Sequence, residues 1–205
     1  MSALDAARVR RWTVAFVSAF EASRAELDDL DRQTGDGDFG SNLAPALERT
    51  AAALESAGES DPRACFAALS AACMEVGGTS GPLFGVWFRE LARASAGHDQ
   101  VSAEMLAAGA TKGLAAVAAL GGAAVGDKTM IDAMAPAAEA LERASAGDAT
   151  TAVAAAAAAA REGALATAAL TARRGRASYV GEAARGVRDP GAVAVALFFE
   201  ALAET

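Results

Sequence analysis

Apolar residues recur at intervals of three and four along most of the chain, and no stretch alternates convincingly with period two. Val9, Trp12, Phe16 and Phe20 form one such stripe, with Arg8, Arg11 and Glu21 lying off it. The spacing predicts a first helix over residues 4–30 whose stripe faces the core. A second helix is expected to begin at Ser41 or Asn42, both good N-caps, and to run to residue 54. Gly58-Glu-Ser-Asp-Pro62 reads as a turn and a helix start, with Pro62 at the first helical position. The third helix carries Cys65, Phe66, Leu69 and Met74 and ends at Gly77-Gly78. A fourth includes Val86 to Leu91, and a fifth covers residues 102–120, closed by Gly121-Gly122. The loop at 126–132 opens a sixth helix reaching residue 144, with Asp127 or Thr129 as its cap and Lys128 and Asp132 as a surface i,i+4 pair. A seventh spans residues 151–170, and the last, residues 192–203, supplies Val195, Phe198 and Phe199 to the core.

Composition supports this reading. Hydrophobic residues are 53% of the 205, much of that alanine, and prolines number five. Alanine is the strongest helix former and lets helices approach closely. The expected fold is therefore all-α, a single domain over residues 1–205 with no internal repeat or long linker. Cys65 and Cys73, two helical turns apart, are too distant for a disulfide and read as buried free thiols in a reducing cytoplasm.

Eight helices that run antiparallel bring alternate loops to one end. The loops after helices one, three, five and seven are residues 31–42, 77–85, 121–129 and 172–191. These hold the unusual chemistry. The first sets Asp31, Asp36 and Asp38 among Gly35, Gly37 and Gly40. Carboxylates this close call for a cation, and hard oxygen donors favour Mg²⁺ or Ca²⁺. Taken alone, the loop is equally well a solvated Asp-Gly turn. The second, Gly77-Gly-Thr-Ser-Gly-Pro-Leu-Phe-Gly85, leads into a helix N-terminus able to bind phosphate, or is an ordinary Thr/Ser cap. The fourth gathers Arg173, Arg174 and Arg176 beside glycines, suited to phosphate contacts or to a solvated basic loop. Convergence of all four at one end selects a Mg-nucleotide site over four unrelated loops.

Charge narrows the partners. A net charge of −8, with Lys112 and Lys128 the only lysines, argues against nucleic acid or an anionic membrane. The start lacks a signal-peptide core and the alanine run at 151–160 is too short to span a bilayer, so a soluble cytoplasmic protein is expected. Walker-type, kinase and Rossmann motifs are absent, and His98, the one histidine, reads as a surface residue.

Gly35-Asp-Gly-Asp-Phe-Gly-Ser-Asn-Leu43, Gly77 to Gly85, Gly126-Asp-Lys-Thr-Met130, Gly175-Arg-Ala-Ser-Tyr179 and Asp189-Pro-Gly191 together resemble the successive motifs of the nucleotide-binding L subunit of dihydroxyacetone kinases. That resemblance implies an antiparallel eight-helix barrel with the nucleotide at one end. It implies that Asp31, Asp36 and Asp38 are catalytic ligands of two Mg²⁺ ions and that Phe39, Gly40, Ser41, Asn42, Thr79 and Ser80 lie along the phosphates of ADP or ATP. Gly121 or Gly122 and Met130 would flank the nucleoside, while Arg176, Asp189, Pro190 and Gly191 close over it. The implied activity is phosphoryl transfer to dihydroxyacetone, or a related hydroxyketone, held by a separate K-type subunit. Recharging would come from an M-type protein of the phosphoenolpyruvate phosphotransferase system, or by exchange with free ATP. A non-catalytic regulatory nucleotide module is the alternative, and a homodimer is compatible with either. Phe39 stands where family members carry His or Cys.

Overall fold

The computed structural model describes residues 2–56 and 61–205. Its helices are α1 (Ala6–Ala22), α2 (Arg24–Thr34), α3 (Phe39–Ser56), α4 (Pro62–Met74), α5 (Ser80–Ala94), α6 (Ala103–Gly121), α7 (Ile131–Arg143), α8 (Ala149–Ala166) and α9 (Pro190–Glu200). Side-chain caps set five of the starts: Asp5, Asp61, Ser102, Asp148 and Asp189 each accept the backbone N–H three residues on. Such a cap satisfies a donor that the helix leaves without a partner. Pro62 begins α4 as expected, behind Asp61, whereas Gly58, Glu59 and Ser60 of the predicted turn lie outside the described residues.

Successive helices from α4 to α9 pack against one another, and α9 returns to α1, α2 and α7, so the bundle closes on itself. Alanine and glycine make this closure tight. A Cβ on Gly113 would stand 2.4 Å from Trp87 Cδ1, and one on Gly163 only 2.3 Å from the Asp132 carbonyl. Of the described helices, α6 is long and apolar enough to cross a membrane, but its Gly109 and Gly113 are pressed against Leu91 and Trp87 of α5, as in a bundle interior. The predicted stripe of Val9, Trp12, Phe16 and Phe20 is fully buried. Phe198 sits at the centre of the aromatic core, 4.5 Å from the Trp12 ring and 5.1 Å from that of Trp87, while its carbonyl accepts the Trp12 indole N–H. Cys65 and Cys73 are buried free thiols, and burial raises them to about 11 and about 12.

Three expectations change. The first predicted helix is two, because the Ser23 N–H is shared between the Ala19 and Phe20 carbonyls and the chain bends there. That makes nine helices among the described residues. Leu4–Asp5 and Gln100–Val101 also form an antiparallel pair, β1 and β2, too short to leave a period in the sequence. Finally, α3 begins at Phe39, ahead of both predicted caps, since carboxylates from α2 cap it instead.

Candidate nucleotide-binding site

Four helices, α3, α5, α7 and α9, present their N-termini to one cleft, and residues from the C-terminal turns of α2 and α6 line it between them. This alternation is the antiparallel arrangement expected from loop order. It also aims four positive dipole ends into one space, which favours an anion there. The cleft holds about 1120 Å³, its mouth included.

Asp31, Asp36 and Asp38 stand on one wall and can bring one carboxylate oxygen each to within 4.8 Å of one another. Asp31 lies in the last turn of α2, and its Oδ2 accepts the N–H groups of Gly37, Asp38 and Phe39 at 3.0, 3.0 and 3.3 Å. One oxygen thus shapes the loop and caps α3. The same geometry explains Gly35, where a Cβ would meet Asp31 Oδ1 at 2.5 Å. A three-carboxylate cluster of hard oxygens suits Mg²⁺. The cluster already draws a cationic group, since Arg176 of the 167–189 lid pairs with Asp36 and reaches Asp38 at 3.8 Å.

Facing the carboxylates are Thr79 and Ser80 at the start of α5, where Thr79 makes no side-chain bond to the helix. Asn42, Gly121, Met130, Asp189, Pro190 and Gly191 also line the cleft, as does Phe39. The Phe39 ring is buried near Phe20 and Phe84, 6.3 Å from each, and its N–H is given to Asp31, so the residue offers the cleft no polar side chain. Gly40, Ser41 and Gly122 do not line the cleft. A Cβ on Gly40 would stand 2.7 Å from the Arg24 carbonyl, and Ser41 gives both its N–H and its hydroxyl to Asp28. Gly122 has φ +60° and ends α6 as a left-handed cap.

The 126–132 loop departs from its predicted role. Lys128 and Asp132 are buried, not a surface pair. Asp132 accepts the N–H groups of Gly126 and Thr129, and the lysine ammonium donates to the Thr167 and Val187 carbonyls. Met130 occupies the N-cap of α7, without a side-chain bond. Nothing local marks Lys128 as buried, because its partners lie 39 and 59 residues away. His98 is exposed, as expected.

Asp189 caps α9 through Ala192, and its own N–H donates to Thr167 Oγ1 at 2.9 Å. Burial raises its carboxyl to about 7, against the Ala192 bond and the Lys128 charge, which pull it down. The folded protein therefore keeps a proton that the unfolded chain sheds above about pH 4. Its contribution to stability is full below that value and is lost as pH rises toward 7. Asp189→Asn is expected to flatten this fall, as read from thermal melts of both proteins between pH 4 and 8 with no nucleotide added. Parallel pH profiles for the two would contradict the assignment.

A helical barrel with a carboxylate cluster, converging helix N-termini and an arginine-bearing lid at one end defines a narrow structural class. Residues 33–204 match the DAK2 domain, and the chain belongs to that family. It is 32% identical over 203 residues to the ADP-binding subunit DhaL of the PEP-dependent dihydroxyacetone kinase of Escherichia coli, spanning 98% of this chain and 97% of that protein. It is 37% identical over 185 residues to the L-erythrulose 1-kinase of Mycolicibacterium smegmatis, spanning 89% of this chain but 32% of the relative. The dihydroxyacetone kinase of C. freundii, solved in complex with AMP-PNP and Mg²⁺, superposes over the whole chain and 35% of its own, with a TM-score of 0.73 at 29% identity.

Proposed function

We propose that the protein is the nucleotide-bearing L-type subunit of a dihydroxyacetone kinase. It holds Mg-ADP or Mg-ATP in the cleft and passes a phosphoryl group to dihydroxyacetone, or a related hydroxyketone, bound by a K-type partner. The observation that carries this reading is the opposition of Asp31, Asp36 and Asp38 to Arg176 beneath four helix N-termini. Asp31, Asp36 and Asp38 would hold two Mg²⁺ ions, which when bound supply charge neutralisation for the phosphates. Thr79, Ser80 and the backbone N–H groups of α5 orient the phosphate oxygens. Arg176, fixed on the lid, places a guanidinium against the charge of the transferring group. Leu83, Val117 and Met130 give the cleft an apolar side suited to the nucleoside. Positioning and electrostatics carry such a transfer, with no covalent intermediate on this chain.

The match to the ADP-binding subunit of the E. coli PEP-dependent kinase supports a nucleotide recharged by an M-type protein of the phosphotransferase system. The higher identity to an erythrulose kinase supports a second reading, in which the acceptor is a keto-tetrose and the donor is exchangeable ATP. Denaturing the purified protein and identifying the released nucleotide, then assaying it with a K-type subunit, tests both. ADP that stays bound through purification, with turnover only when phosphoenolpyruvate and the relay proteins are present, supports the first. Turnover with ATP alone supports the second. Absence of nucleotide binding with or without Mg²⁺ rules out either.

A further inference from the structure

Lys128 has the only positive φ, +62°, of any non-glycine among the described residues, and only 2% of it is exposed. A side chain held in the left-handed region is strained, and an ammonium held away from water is costly, so both need compensation from their surroundings. That compensation comes from the lid. The ammonium donates to the Thr167 carbonyl at 2.6 Å, just past α8, and to the Val187 carbonyl, just before α9. Thr167 opens the lid and Val187 lies near its close. The neck is also closed by Gly186 N–H to the Ala168 carbonyl at 2.8 Å, by the Arg185 guanidinium to the Ala169 carbonyl at 3.0 Å, and by Asp189 N–H to Thr167 Oγ1. The same loop grips the lid again beyond the neck, through Arg173 N–H to the Asp127 carbonyl and the Arg174–Asp127 pair. At the far side of the lid Arg176 meets Asp36 and Asp38.

We infer that Lys128 is a positioning residue: its ammonium ties the two ends of the 167–189 segment together, and so fixes where Arg176 arrives over the carboxylates. A neutral side chain of the same length would leave two carbonyls facing each other across the neck without a shared donor. Thr167 and Val187 do not line the cleft, but Lys128 itself does, so pairing its loss with that of Arg176 separates an effect carried by the lid from a direct one. This inference rests on the proposed nucleotide function for its affinity readout, and on the protein alone for its exchange readout.

Lys128→Gly removes the donor and relieves the positive φ, which protects folding. Amide hydrogen exchange without nucleotide is expected to run about ten-fold faster across residues 170–186, with α4, α5 and α9 unchanged. Mg-ADP affinity is expected to fall about ten-fold, and the Lys128→Gly/Arg176→Gln double variant to bind no worse than Arg176→Gln alone, because an arginine already removed cannot be misplaced. Unchanged lid exchange overturns the inference, as do penalties that multiply in the double variant. If wild-type protein fails to bind Mg-ADP, the proposed function falls while lid exchange still judges Lys128. If Lys128→Gly does not fold, Lys128→Asn, which tolerates a positive φ and is too short to reach both carbonyls, takes its place, and an unchanged lid in that variant overturns the inference.

Discussion

Asp36→Ala is expected to lower phosphoryl transfer about 10³-fold and to abolish Mg-dependent nucleotide retention, while the protein melts as the wild type does. The loss follows from removing one of the three carboxylates that can share a cation, since metal stabilisation of a transferring phosphoryl group is worth several kcal/mol and each 1.36 kcal/mol is roughly ten-fold in rate. The stability is spared because Asp36 is exposed and, among the described residues, pairs only with the exposed Arg176; such surface pairs contribute about 0–1 kcal/mol. Asp31→Ala separates the two roles. It loses the same function, but it also strips the acceptor from three N–H groups at the start of α3, a loss of cap that costs about 1–2 kcal/mol. Isothermal titration with Mg-ADP, beside urea denaturation of both variants, measures the contrast. Nucleotide bound equally well by Asp36→Ala and wild type would remove the metal assignment.

Phe198→Ala is expected to cost about 4 kcal/mol of stability, the range for deleting a fully buried ring. Phe198 is 0% exposed and its ring lies within 6.5 Å, centroid to centroid, of Trp12, Phe16, Phe66, Trp87, Phe88 and Phe199. Those rings come from α1, α4, α5 and α9, so one side chain joins the helices that close the barrel. The Trp12 indole keeps its acceptor, the Phe198 carbonyl, so the cost is one of packing and not of hydrogen bonding. A native stability of 5–15 kcal/mol absorbs most of such a loss but not all of its consequences. The melting temperature is expected to drop by roughly 10 °C, with nucleotide binding retained in the cold. A cost below about 1 kcal/mol would mean that the site collapses around the cavity and that the aromatic cluster is not the closing element.

Periodicity specified the helices and their inner faces. Val9, Trp12, Phe16 and Phe20 are buried because a 3.6-residue repeat places them on one side of α1 whatever that helix packs against. Loop order specified the convergence: with short connections between antiparallel helices, residues near 35, 79, 125 and 180 must share an end. Tertiary structure decided the rest. Whether Ser23 bends a helix depends on what its two halves pack against, and the sequence reads straight through it. Gly40 and Ser41 sit inside the motif yet outside the cleft, because Asp28 and the Arg24 carbonyl hold that turn against α2. Lys128 and Asp132 have the spacing of a surface pair, and only the return of the chain at Thr167 and Val187 buries the lysine. A local pattern records which face of a helix avoids water. It cannot record which carbonyls, dozens of residues later, will meet an ammonium, since that depends on how the helices close into a barrel.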